Sequence, residues 1–439
     1  MQTTETYDIP ASVSQRLLWM IKHYRSDYGA LNCPVVCRIT GQLDTIALQR
    51  AVDGLSVRHD SLRTTFHGRG AQLFQRVHPP RGEPVLHDDL SAQDDPRAAA
   101  GQALAAELRL PIDLQEWPAR ARLWRVSASE HLFCLNLHHL VTDAWSTGIL
   151  IRDLSRLYGR VTQGRPALPP AGWSLAQFVE WQRCLLAGDR LRRHQDYWRH
   201  QLAGARLPNL GSSSSDSARR SARCDTVDLA EPVVVGLRGL ARRERTTLFT
   251  VLLALFHAQL HRVTGEPDIT VASMFANRNR PELRETVGLL AGMVLLRAHL
   301  ARQHSLTDLV RHCHGAVLGA FTYSELPFQL LPPDLVDAGG GRADDVMFNV
   351  MLETQHLHTG GGVRFELVVP TDIGSRFPFE LALVPVGESG LRAALFRAPE
   401  RLDAAGGARF LDGFVALAAT AVEEPDTSLA RLLTTRAWS

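Results

Sequence analysis

The chain switches between the period of a strand and the period of a helix, and the switches outline its elements. Ser12-Val13-Ser14-Gln15 has the spacing of a capping box, and Leu17, Leu18 and Ile21 continue as one helical face. Val35, Val36, Cys37 and Ile39 read as a strand ending at Gly41, and Leu48, Ala51, Val52 and Leu55 as a second helix. Arg58 to Phe66 leads into a strand with a hairpin partner near 71–77, and a helix follows near 95–108. Two strands near 119–126 and 131–138 are joined by the turn Ala128-Ser129-Glu130. The second contains the apolar run Leu132-Phe133-Cys134-Leu135-Asn136-Leu137 and ends in His138-His139. Ile151, Leu154 and Tyr158 then return at helical spacing. Two adjacent histidines thus stand where a buried strand stops and a turn begins.

Pro166, Pro169 and Pro170 close that helix, and one long helical region carries Phe178, Trp181, Leu185, Tyr197 and Trp198. Pro208 to Arg223, with four consecutive serines, reads as a linker or loop. Beyond it come helices near 231–243 and 246–264 and a strand over Ile269–Phe275. A helix near 305–320 and strands near 346–354, 363–369, 379–386 and 390–397 follow. A last helix carries Phe410, Phe414, Leu417 and Ala421. The second half repeats the style of the first, which predicts an internally duplicated α+β fold without a repeat in sequence.

Composition narrows the chemistry. At 439 residues the chain exceeds one ordinary core and predicts two to three units. With 45% apolar and 21% charged residues it is of globular type, and a net charge of +2 gives no argument for nucleic acid or an anionic membrane. Lys22 is the one lysine, which argues against Schiff-base chemistry. None of the six cysteines forms a CxxC pair, so reduced, buried thiols are expected. His312-Cys313-His314 looks metal-like, but neighbours on a helix point to different faces, so no metal is expected there. Gly339 to Gly341 and Gly360 to Gly362 precede no helix bearing Lys-Ser/Thr, which excludes a phosphate loop. The first residues lack a signal-peptide core, and the apolar stretches near 249–256 and 287–296 are too short to span a bilayer. The expectation is a cytoplasmic protein.

A neutral imidazole can take a proton from an amine or hydroxyl. Neighbours on a strand face opposite ways, so one histidine can face a cavity while the other is packed behind it. Asp143 can orient a ring or pair with an arginine, and the N–H groups after it lie at a helix start, where an oxyanion is favoured. On these grounds catalysis and a structural pair both stay open.

Leu137 to Ser146 resembles the HHxxxDGxS motif of condensation domains from nonribosomal peptide synthetases, of the chloramphenicol-acetyltransferase-like superfamily. Other segments match in family order. Ser12 to Trp19 is similar to SxAQxRLW, Arg58 to Phe66 to RHExLRTxF and Pro111-Ile112-Asp113-Leu114 to PFDL. Gln177 to Trp181 is a weak fourth motif, and Val287 to Met293, running on to Arg297, is similar to IGxFVNTxxxR. Leu326-Pro327-Phe328-Gln329 and Val346 to Met351 match the sixth and seventh motifs.

The resemblance implies two chloramphenicol-acetyltransferase-like subdomains forming a V-shaped pseudo-dimer with a central tunnel. The expected division is 1–174, carrying the histidines, and 175–439, with a loop at about 208–223 and crossover segments at about 270–297 and 355–385. It implies that His139 faces the tunnel as general base or positions the nucleophile, with His138 behind it. Asp143 is implied to be structural, with Arg278 as candidate ion-pair partner; Ala144 N–H is implied at the oxyanion, and Ser146 as a further contact. The chain departs from the family at Ala144, where glycine is usual, at Gly292-Met293, where Asn-Thr is usual, and in lacking the fourth motif's tyrosine.

The implied reaction moves an acyl group from the phosphopantetheine thioester of an acyl or peptidyl carrier protein to an amine or hydroxyl. The acceptor is a small molecule or carrier-bound, and the product is an amide or ester in natural-product biosynthesis. No cofactor bound by the enzyme itself, no nucleic acid and no membrane is expected, and a monomer is. The start at Met1 and the end just past the last helix leave a free-standing enzyme or an excised domain, and Met1 favours the former. The alternatives are a coenzyme A-dependent small-molecule acyltransferase and a catalytically silent domain that docks carrier proteins.

Overall fold

The structure, a computed structural model, describes residues 5–433 apart from 25–30, 69–71, 170, 206, 208–222, 303, 333–334, 336–341, 343, 352–355, 359–361, 369–376 and 388. The loop expected over 208–223 therefore lies outside the described residues except for Arg223, as do Gly339 to Gly341. Two compact units emerge. The first comprises Met1–Ala187, Ala276–Ala291 and Thr354–Asp372, and the second Gly188–Phe275, Gly292–Glu353 and Ile373–Ser439. The helix at 175–185 thus belongs with the histidines, and a short segment, 276–291, joins them from far along the chain.

In the first unit the elements run β1 (Tyr7–Pro10), α1 (Val13–Tyr24), β2 (Val35–Thr40), α2 (Thr45–Arg58), β3 (Thr64–His67) and β4 (Phe74–Val77). They continue as β5 (Val85–Asp89), α3 (Pro96–Arg109), β6 (Ala119–Arg125), β7 (Glu130–Leu137), α4 (Ala144–Thr162) and α5 (Leu175–Leu185). A three-stranded sheet has the order β1-β4-β3. A six-stranded sheet runs from His356–His358 through Arg364–Leu367 to β2, β7, β6 and β5.

β7 lies inside this sheet, paired antiparallel to β2 and β6. Both its faces are covered, which is why its sequence reads as a continuous apolar run. Phe133, Leu135 and Leu137 join Leu48, Val52, Leu55, Leu150, Leu154 and Tyr158 of α2 and α4 in the main core. On the other face Cys134 packs with Ala100, Leu104, Trp124 and Val36, beneath α3. The carboxyl end of β7 is therefore fixed from both sides.

The second unit has its own six-stranded sheet, in the order Gly292–His299, Asp268–Phe275, Val346–Val350, Phe379–Val386, Gly390–Arg397 and Arg223–Leu229. Its core helix, Leu248–Thr264, is buried without a break from Thr250 to Leu260. One helix among the described residues, Ala404–Glu423, is long and apolar enough by composition to cross a membrane, but Phe410, Phe414, Leu417 and Ala421 on it are buried within the fold. Each unit thus carries a mixed sheet with helices, as the repeated pattern of elements predicts.

The one helical region expected to carry Phe178 through Trp198 is two helices, broken at Gly188, where φ is +60°. Arg223–Leu229 is an edge strand rather than the end of a loop. Its polar alternation hid it, because Asp225 and Asp228 pair with Arg397 and Arg392 of the neighbouring strand. All six cysteines are free thiols.

Two glycines separate backbone need from helix propensity. Gly41 has φ +114°, and a Cβ there would lie 2.4 Å from the Gly362 carbonyl oxygen. Gly101 is exposed inside α3 with open space around it. Gly41→Ala is expected to destabilise the fold by about 1–3 kcal/mol. Gly101→Ala is expected to stabilise it by about 0.5–1 kcal/mol. Denaturant unfolding of both variants checks the signs.

Candidate active site

β7 ends at Leu137, one residue before the histidines. His138 continues it only as a single bridge opposite Asn32. The chain then turns, with Val141 N–H donating to the His138 carbonyl at 3.0 Å and His139 N–H to the Leu31 carbonyl at 2.7 Å. Both histidines thus lie in the turn over 138–141 rather than on the strand alone. His138 is buried and His139 is partly exposed.

The turn also assigns the ring protons. His139 Nδ1 lies 2.7 Å from the Thr142 carbonyl oxygen, which can only accept, so Nδ1 carries the proton. In the neutral ring Nε2 then holds the lone pair. His138 is the reverse, because its Nδ1 accepts from Leu140 N–H at 3.1 Å, which leaves the proton on Nε2. Adjacent histidines therefore carry opposite tautomers, and His139 has a basic nitrogen turned away from the backbone that holds it. Among the described residues no cluster of His, Cys, Asp or Glu fits a metal ion.

Asp143 is the N-cap of α4 and is fully buried. Its Oδ1 accepts from Ser146 N–H at 2.9 Å, Ser146 O–H at 2.8 Å and Arg278 Nη2 at 3.1 Å. Its Oδ2 accepts from Arg278 Nη1 at 2.6 Å and from the N–H groups of Leu290 and Ala291 at 3.1 and 3.0 Å. Burial by itself would raise the pKa, but the Arg278 charge and the hydrogen bonds from Arg278 and Ser146 outweigh it and hold it below the ordinary carboxylate value. Charge-assisted hydrogen bonds at roughly 1.5–3 kcal/mol each offset a desolvation cost of several kcal/mol. Every lone pair is committed, so this carboxylate cannot work as a base and serves as a joint.

What it joins is the segment 276–291. Arg278 also donates to the carbonyls of Ala276 at 2.7 Å, Thr286 at 3.2 Å and Gly288 at 3.3 Å. Ser146 O–H lies 3.2 Å from the Gly288 carbonyl, and Gly288 N–H donates back to Ser146 Oγ at 3.1 Å. Trp145 Nε1 donates to the Arg284 carbonyl at 3.0 Å. Further along α4, Arg152 pairs with Glu285, while Asp153 accepts from Arg58 Nε at 2.6 Å and contacts His59 Nε2 at 3.0 Å. Arg58 and His59, noticed in sequence as part of a motif, thus brace α4.

Ala144 is the first residue of α4, with its side chain exposed. Among the described non-glycine residues only Arg245 and Asn277 have positive φ, so Ala144 sits on backbone open to any L-residue. Alanine in place of glycine strains nothing here. The N–H groups of Ala144 and Trp145, in the first turn, have no acceptor within the helix. Arg297 lies in the second unit, bidentate to Asp268 at 2.9 and 2.6 Å, and Gly292-Met293 open the strand it belongs to.

Removing either partner of the Asp143–Arg278 pair strands a buried charge. Asp143→Ala and Arg278→Ala are each expected to cost about 3–5 kcal/mol. The double variant is expected to cost less than their sum by about 1–3 kcal/mol. Since the folded-state pKa of Asp143 is depressed, its contribution is full above the ordinary carboxylate value of 3.8 and is lost as pH falls through the folded value. Denaturant unfolding of the four proteins between pH 7 and 3 reads both effects. Additive costs with unchanged acid sensitivity contradict the joint.

Comparison with known proteins places this geometry in a family. A model of the condensation domain matches residues 5–435. Chondramide synthase cmdD of Chondromyces crocatus is 33% identical over 333 residues, which is 74% of this chain and 8% of that protein. Phosphinothricin tripeptide synthetase PhsB of Streptomyces viridochromogenes is 36% identical over 341 residues, 75% of this chain and 28% of that protein. The chain therefore spans under a third of either relative. The first condensation domain of the calcium-dependent antibiotic synthetase, solved with a substrate analogue, aligns at a TM-score of 0.83 and 21% identity, covering 97% of this chain and 98% of that one. The match along nearly the whole length and the shared mixed α/β, chloramphenicol-acetyltransferase-like fold lead to one conclusion: this chain belongs to the condensation domain family, whose members are acyl-transferring, amide-forming enzymes of natural-product biosynthesis.

Proposed function

We propose that this protein transfers an acyl group from the phosphopantetheine thioester of a carrier protein to an amine or hydroxyl acceptor, with His139 as the group that receives the acceptor's proton. The observation that carries this reading is the 2.7 Å bond from His139 Nδ1–H to the Thr142 carbonyl, which makes Nε2 the basic nitrogen of the neutral ring. The acceptor nitrogen or oxygen attacks the thioester carbonyl carbon. Its proton passes to Nε2, the C–S bond breaks as the tetrahedral intermediate collapses, and the proton leaves on the phosphopantetheine thiol. An ammonium acceptor first loses one proton to solvent to free its lone pair, and the base takes the second as the C–N bond forms, whereas a hydroxyl needs the base in the attack itself. On this reading the enzyme requires no cofactor of its own and acts in the cytoplasm.

His138 supports the turn, Asp143 and Arg278 fix it to the segment 276–291, and Ser146 completes that joint. The oxyanion falls to the Ala144 N–H, at the positive end of α4.

His139→Ala is expected to lower kcat/KM for a carrier-bound acyl donor by about a hundredfold or more. Unchanged turnover overturns the role of His139, and full turnover with free acyl-coenzyme A and no carrier overturns the donor class. The oxyanion role has its own test, because proline is accepted at the first position of a helix yet has no N–H. Asp143 is already extended, at φ −144° and ψ 179°, as a residue before proline must be. Ala144→Pro is expected to keep the helical circular dichroism and lose about a hundredfold in kcat, whereas Ala144→Gly stays within about threefold.

A further inference from the structure

We infer that Gln15 is a positioning residue for His139, a second duty carried by the same side chain that caps α1. One half of its amide closes the capping box. Ser12 N–H donates to Gln15 Oε1 at 2.8 Å, and Gln15 N–H donates to Ser12 Oγ at 3.2 Å. The other half reaches the histidine turn. Gln15 Nε2 donates to the Leu140 carbonyl at 3.0 Å and to Gln75 Oε1 at 3.0 Å, and Gln75 Nε2 donates to the Pro10 carbonyl at 3.1 Å. Gln15 is 1% exposed and Gln75 fully buried, so water does not replace these bonds.

The orientation of both amides is forced. The carbonyls of Leu140 and Pro10 can only accept, so each must face an Nε2, and Gln75 is left with its oxygen towards Gln15. At a capping box alone, glutamate and glutamine serve equally, because the cap uses only an oxygen. Here the nitrogen is also in use, and only glutamine supplies it.

Leu140 is the residue whose backbone both ends of this arrangement hold. Its N–H is bound by His138 Nδ1 and its C=O by Gln15, with no other residue between His139 and Val141. Fixing the two peptide groups on either side of Leu140 fixes the path from His139 to Thr142, whose carbonyl accepts the hydrogen bond from His139 Nδ1. Gln15 thereby links β1, β4 and α1 to the choice of tautomer at His139. The kinetic part of this inference rests on the proposed role of His139, whereas the tautomer does not.

The test compares Gln15→Glu, which keeps the cap oxygen, with Ser12→Ala, which removes the hydroxyl half of the cap but leaves the clamp. A protonated glutamate restores at most one of the two lost donors. Ring nitrogen chemical shifts of His139 report the tautomer, and steady-state kinetics use a carrier-bound acyl donor. Q15E is expected to turn a single Nδ1–H tautomer into a mixture and to lower kcat by about tenfold, with KM within about twofold. S12A is expected to lower the unfolding midpoint and move neither readout. A wild-type tautomer and kcat in Q15E overturn the inference. A mixed tautomer with wild-type kcat upholds the clamp and overturns the base role of His139. Should Q15E fail to fold, the scalar coupling across the hydrogen bond from Gln15 Nε2 to the Leu140 carbonyl carbon is read in the unmodified protein: its presence supports the clamp, and its absence overturns it.

Discussion

A single buried carboxylate ties the start of α4, directly after the histidine turn, to the segment 276–291. Asp143 takes three hydrogen bonds on each oxygen, from its own helix start, from Arg278 and from the backbone of Leu290 and Ala291. Those donors come from positions more than 130 residues apart in sequence. A buried charge of this kind gains little stability over a well-packed apolar contact, but it is costly to leave half-made, so it enforces one arrangement. The arrangement it enforces is the start of α4, directly after the histidine turn.

The proposed chemistry rests on which backbone groups the turn presents. The Thr142 carbonyl sets the proton on His139 Nδ1, and the Leu140 amide sets the opposite tautomer on His138. The two rings have the same composition and neighbouring positions, yet one is spent on holding the turn and the other keeps a basic nitrogen. β7 supplies rigidity from behind, because core packs on both its faces. Arg58, His59 and Asp153 do the same for α4 at its third turn.

Much of this was legible in sequence where the signal is local. The apolar run of β7, the helical spacing of α4 and the Ser12–Gln15 cap each depend on residues close together, and each lies where the pattern put it. The edge strand Arg223–Leu229 was missed because its faces are polar and its partners are arginines on a later strand. The break at Gly188 was missed because aromatic residues on both sides keep the helical spacing. At the site, residue types were readable and bonds were not. A histidine's tautomer depends on a carbonyl three residues on, and Gln15 meets Leu140 only after 125 residues of intervening fold. Glycine was expected after Asp143 by resemblance alone, and the helical backbone at Ala144 removes the physical reason for it.

The most direct test is the protonation state of the two rings in the unmodified protein at neutral pH. Nitrogen NMR of histidine-labelled protein should find the neutral His139 ring protonated at Nδ1, and His138 protonated at Nε2 with an accepting Nδ1. A His139 ring carrying its proton on Nε2 would contradict the account, because the nitrogen assigned to receive the acceptor's proton would already hold one.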